Sequence, residues 1–141
     1  MANPRIANSL DVLRHQVDAI APDRDKSSDG WIASEQHHQA NPTSDHEANS
    51  AGVVTALDVT HDPTHGMDTY ALAEQLLAGK DERVKYLISN RKIASGTEQA
   101  HSAWVWRKYD GSNPHDMHIH VSVKGDAAHY DSTAQWAVRV Y

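Results

Sequence analysis

The sequence predicts an α+β domain, a small and mostly antiparallel sheet with flanking helices. Two segments space their apolar residues at helical intervals, Leu10-Leu13-Val17-Ile20 and Leu72-Ala73-Leu76-Leu77. Short β-rich runs, among them Val53 to Val59, Val84 to Ile88 and the segment ending in Val121-Ser122-Val123, lie between turn-forming residues. Helices and strands follow one another in mixed rather than strictly alternating order, as α+β domains do.

In chain order, Ser9 is placed to cap the first helix, which ends before Pro22. Asp23 to Ser50 is rich in Asp, Ser, Asn, Gln and His, with Trp31-Ile32 its only strong apolar anchor. A loop of that length inside a domain tends to be functional; the alternative, a disordered linker, would leave Trp31 exposed. Val53 to Val59 reads as a central strand, followed by a turn at Asp62-Pro63 and Gly66. Asp68 or Thr69 then opens the second helix, which Gly79 stops. Val84 to Ile88 reads as a strand, Asn90-Arg91 as a turn and Lys92 to Ala94 as the return strand. Trp104 to Trp106 is a further expected strand, and Asp110 to Pro114 a loop. The tail, Ala134 to Tyr141, is expected to add an edge strand or wrap the surface.

A chain of 141 residues is expected to form one domain over 1–141 with a real hydrophobic core. A net charge of −6, with Lys and Arg scattered, argues against a nucleic-acid binder and against attraction to anionic membranes. No apolar run approaches the roughly 18 residues of a membrane-spanning helix. Met1-Ala2-Asn3-Pro4-Arg5 does not lead into a signal-peptide core, so synthesis in the cytoplasm is expected. With no cysteine, any metal must be held by carboxylates and by some of the eleven histidines.

The most informative segment is His115-Asp116-Met117-His118-Ile119-His120, running into Val121-Ser122-Val123. As a strand it puts Met117, Ile119, Val121 and Val123 on one face and His118, His120 and Ser122 on the other. Two imidazoles aimed the same way suit a metal or acid–base site; an ordinary solvated or hydrogen-bonded pair is the other reading. Asp58 lies in the apolar run Ala56-Leu57-Asp58-Val59, where a carboxylate is costly unless paired, hydrogen-bonded or on a metal. With His46 at the end of the polar loop, His46, Asp58 and His120 make a candidate His-Asp-His zinc set. A catalytic zinc typically takes three such protein ligands and leaves one position for water.

Ser44-Asp45-His46, the strand Gly52-Val53-Val54-Thr55-Ala56-Leu57-Asp58 and the late His118-Ile119-His120 resemble the LAS zinc metallopeptidases. These are the lysostaphin-type enzymes and D-alanyl-D-alanine carboxypeptidases, which share their fold with the hedgehog signalling domain. The resemblance implies that fold, with His46, Asp58 and His120 on zinc. The spacing of His115 and His118 ahead of His120 resembles the murein DD-endopeptidases of the group. A wider likeness, from about Trp31 to Tyr130, is to small single-domain endolysin-like proteins of phages and prophages. Glu47 to Val54 departs from the pattern as an insertion between the first His and the Asp, tolerable because loop-closure cost grows slowly with length.

In such a site zinc lowers the pKa of its bound water to about 7, and a nearby base moves the proton. His115 is the first candidate for that base and Asp116 the second. His118, beside the metal, is a candidate to hydrogen-bond the developing oxyanion if protonated; Asp116 is alternatively an orienting partner for a histidine or a solvated loop carboxylate. The resemblance therefore implies a zinc-dependent peptidoglycan endopeptidase, monomeric and acting on murein peptides at the cell wall after release from the cell. Its alternatives are an inactive zinc-binding structural or virion protein, and a D-Ala-D-Ala carboxypeptidase. His61 and His65, interrupted by Pro63, are expected at a cleft rim or plain surface. His37-His38 reads as loop polarity or a weak metal contact. Trp104 and Trp106 read as core rather than as a glycan platform, and Arg107 and Lys108 as surface residues or partners for substrate carboxylates.

Overall fold

Every strand of the main sheet runs antiparallel to its neighbours, in a computed structural model that describes residues 4–31, 44–97, 99, 101–111 and 115–139. The elements are β1 (Arg5–Ile6), α1 (Asn8–Ile20), β2 (Val53–Val54), β3 (Ala56–Thr60), a 3-10 turn (Pro63–His65) and α2 (Thr69–Gly79). Then come β4 (Val84–Ser89), β5 (Lys92–Ser95), β6 (Arg107–Lys108), β7 (His118–Val123) and α3 (Ala127–Tyr130). The five-stranded sheet has the order β3-β7-β4-β5-β6, and β1 pairs with β2 in a separate parallel ribbon. This is an α+β architecture. Among the described residues no helix is long and apolar enough to cross a membrane.

One sheet face forms the core. Leu57, Val59, Leu87, Ile119, Val121 and Val123 bury against Leu10, Leu13 and Val17 of α1 and Leu72, Ala73 and Leu76 of α2. The helical spacing that predicts these elements is therefore the spacing they use, except that Ile20 is only partly buried and Leu77, also half-buried, lies outside the core cluster. Asp68 caps α2, its carboxylate accepting from the Tyr70 and Ala71 amides. Asn90 and Arg91 both take positive φ, the backbone of a two-residue hairpin between β4 and β5.

Several expectations are corrected. Ser9 is not the cap of α1: β1 runs directly into the helix, Ala7 takes the cap position, and Asp131 accepts from the Asn8 amide at 3.1 Å. Ser9 is buried instead, its hydroxyl the buried side-chain atom without a partner among the described residues. Val53 to Val59 is not one central strand. It changes partner at Thr55, from β1 to β7, and β3 lies at the outside of the five-strand order, met on its far side by a single bridge at Gly30. β7 takes the interior position between β3 and β4.

Met117 is not on the core face; it is 65% exposed and lies before the strand starts, its carbonyl accepting from the His61 amide. Trp104 to Trp106 is not a strand, since Trp104 has φ 62° and β6 begins at Arg107. Both tryptophans nevertheless pack against the core, with the Trp106 indole donating to Glu74. The tail wraps rather than pairs through residue 139: Trp136 is buried, donates to the Ser9 carbonyl and lies 3.9 Å beneath the Arg83 guanidinium. The short α3 has no counterpart in the expected elements.

Candidate metal centre

The second face of the sheet is polar along β3 and β7 and carries the site. Asp58 and His120 are directly opposed on these neighbouring strands, so their side chains rise together from the same face. His118 stands opposite Thr60 and Ser122 opposite Ala56, two residues to either side on the same face.

His46 arrives from the loop. The Ser44 hydroxyl accepts from the His46 amide, and the Ser44 carbonyl accepts from that of Glu47. The expected insertion then closes on itself: the Asn49 side chain accepts from the Ala51 and Val53 amides, and Gly52 turns with φ 78°. Residues 47–52 thus form a tight turn that returns the chain to β2 with His46 beside Asp58. Lys85 pins the approach by holding both Asp45 carboxylate oxygens at 3.0 Å.

One donor atom from each of His46, Asp58 and His120 lies within 4.8 Å of the others. His46 Nε2 is 3.3 Å from Asp58 Oδ2, and His120 Nδ1 is 3.2 Å from Asp58 Oδ1. The far side of each imidazole is held as well. His46 Nδ1 lies 3.1 Å from the Trp31 carbonyl, and His120 Nε2 lies 2.7 Å from the Ser122 hydroxyl. A carbonyl only accepts, so His46 Nδ1 carries the hydrogen and donates. In a neutral ring Nε2 then offers a lone pair to a carboxylate oxygen, an arrangement that requires a proton or a cation between the two.

The charges agree with that geometry. Burial works to raise the Asp58 pKa, but hydrogen bonds and charge from His120 and His46 overcome it and hold the carboxyl well below its usual range. Burial works to lower the His46 pKa, and its hydrogen bond to Asp58 reverses this, leaving it raised. The cluster is thus an anionic carboxylate between two buried imidazoles, a nitrogen and oxygen donor set that fits zinc.

The other expected site residues fall around the cluster. His118 Nε2 is 3.6 Å from Asp58 Oδ2, too far for a hydrogen bond. Burial lowers its pKa, Asp58 opposes the shift and the His120 and His46 charges add to it, leaving it lowered, so the protonated form that the oxyanion role requires is disfavoured. His115 is buried with φ 55°, its ring 4.9 Å edge-on from that of His118 and 5.6 Å from that of His120. Asp116 is half-buried, and its carbonyl accepts from the Tyr70 hydroxyl at 2.8 Å. His61 and His65 stand apart from the cluster. His61 stacks on Tyr70 and accepts from the Thr69 amide, while His65 pairs with Asp62. His37, His38 and Pro114 lie outside the described residues.

Sequence reasoning misses three supports of the site. Tyr86 stacks on His120 with ring centres 5.3 Å apart, and burial pushes its phenol up to about 12, so it stays protonated. The Trp31 carbonyl leaves no side-chain signal. Lys85 sits where the pairing of β4 with β7 shifts register, which strand alternation alone does not show. No family model, curated protein or solved structure matches this chain.

Proposed function

We propose that this chain is a zinc-dependent peptidoglycan endopeptidase resembling the LAS metallopeptidases, with a hedgehog-like sheet and murein peptides as substrate. The single observation that carries the reading is the buried His46-Asp58-His120 cluster, with its donor atoms within 4.8 Å and both histidines oriented from behind. These three residues would hold the ion. Bound zinc supplies a Lewis acid for the scissile carbonyl and an acidified water.

The remaining chemistry belongs to the chain. His115 is the proposed base, taking a proton from the attacking water and returning it to the leaving amine, with Asp116 the alternative. Neutral His118, less than 5 Å from His115 in ring contact, orients that imidazole and limits the water around it. The Trp31 carbonyl keeps His46 in the tautomer the metal needs, and the Ser122 hydroxyl, which can donate or accept, holds the His120 ring in place.

Purified protein is expected to carry about one zinc per chain and to release soluble fragments from sacculi. His120→Ala should lose both properties, whereas His115→Ala should keep zinc and lose turnover. New internal amine ends in the mass spectrum of the digest identify an endopeptidase, and free D-alanine a carboxypeptidase. A zinc-loaded wild type that leaves sacculi intact would instead be a structural zinc protein.

A further inference from the structure

Arg107 lies on the cross-strand line of the cluster. The register runs Asp58 opposite His120, His120 opposite Ile88, Ile88 opposite Ile93 and Ile93 opposite Arg107. Residues opposed across antiparallel strands share a face, so Arg107 stands on the same polar face as Asp58 and His120. The neighbouring Trp106 points the other way and reaches Glu74 on α2. Three strand spacings of about 4.8 Å put roughly 14 Å between the backbones of His120 and Arg107.

Its electrostatic state is also unusual for this molecule. The other buried or half-buried arginines among the described residues are matched by carboxylates: Arg14 by Asp11, Arg24 by Asp18 and Asp29, and Arg83 by Asp81. Arg107 is half-buried, yet its only side-chain hydrogen bond among the described residues goes from one terminal nitrogen to the Ser95 hydroxyl at 3.0 Å. Ser95 is itself buried and fixes that nitrogen from below. A guanidinium has five N–H donors in a planar fork suited to a carboxylate. An acidic chain, net −6, has a surplus of carboxylates and places none of the described ones here.

We propose that Arg107 determines specificity by capturing a free carboxylate of an acidic peptide whose scissile bond lies at the metal cluster. A fully extended peptide advances about 3.4 Å per residue, so spanning that distance takes about four residues between the captured group and the bond that is cut. The proposal rests on the peptidase reading for the bond cleaved, but not for the binding itself.

The test uses zinc-loaded full-length protein and two synthetic murein stem peptides, one with free carboxylates and one with every carboxylate amidated. Wild type should show a KM about ten- to a hundredfold lower for the free acid, with similar kcat. Arg107→Gln should erase that preference, and Arg107→Lys, which keeps the charge without the fork, should restore part of it. Equal KM increases for both peptides, or none, would overturn the proposal while leaving the hydrolase intact. If wild type cuts neither peptide, calorimetric titration decides. Binding of the free acid that is lost on amidation and in Arg107→Gln sustains the carboxylate site without the hydrolase; no binding, or binding indifferent to both changes, overturns it.

Discussion

Ser122 carries no charge and is fully buried, yet it decides what His120 presents to a metal. Its hydroxyl holds Nε2 at 2.7 Å, which leaves Nδ1 to face Asp58. With Nδ1 on a metal, Nε2 must carry the hydrogen and donate to Ser122, an orienting hydrogen bond behind a ligand imidazole. Ser122→Ala should therefore weaken zinc binding by about ten- to a hundredfold while costing about 1 kcal/mol of stability. Competition with a chromogenic chelator measures the first and urea denaturation the second. A loss of stability with unchanged zinc affinity would reduce Ser122 to a packing residue.

At the scale of elements, the strap from Arg24 to Trp31 connects the fold's ion pairs to the site. Asp29 accepts from Arg24 and from both the amide and the hydroxyl of Thr60, which fixes the strap against the end of β3. Gly30 then bridges Asp58, and the next carbonyl, of Trp31, receives His46. Asp29→Ala leaves the buried Arg24 with Asp18 as its one carboxylate among the described residues and removes the partner of the Thr60 amide. It should cost about 2–3 kcal/mol in urea denaturation and weaken zinc binding as well; zinc affinity equal to wild type would show that the strap does not hold His46. Elements set by near neighbours are legible in the sequence, including both long helices, the Asp68 cap and the Asn90-Arg91 turn. So are Asp58 and His120, because a carboxylate in an apolar strand and a histidine pair on one strand face are costly patterns that ask for partners, whereas His46 enters only from its place at the end of the polar loop and the resemblance. What is not legible depends on distant chain. Asp131 takes the capping task from Ser9 across 123 residues, and the outer position of β3 is set by β7, some sixty residues later. A backbone carbonyl such as that of Trp31 has no sequence signature at all.

For the whole molecule, protons and metal compete for the same nitrogen. In metal-free protein the raised pKa of His46 means that its pairing with Asp58 stabilises the fold fully below the unfolded value of about 6.5. That contribution is lost as pH rises through the raised folded value. Asp58, whose pKa is depressed, has the opposite limb: its contribution is present above about 3.9 and lost as pH falls through its folded value. Metal reverses the first limb, because His46 Nε2 must be deprotonated to bind, so affinity rises with pH until that proton is gone. Ligand bound only by the folded state stabilises by RT ln(1 + [L]/Kd), so the gain in Tm from zinc must grow over the same range. Melting curves in chelator should therefore fall between pH 6 and 8.5, while the gap between chelator and excess zinc widens. The metal-loaded protein is then the more stable form where the metal-free protein has lost its own internal ion pair. A gap constant with pH would mean that His46 does not hold the metal, leaving Asp58 and His120 without their third partner. His46→Gln separates the two limbs: it should flatten the pH dependence in chelator and shrink the zinc-dependent gap at pH 8.5, where the imidazole is the better ligand.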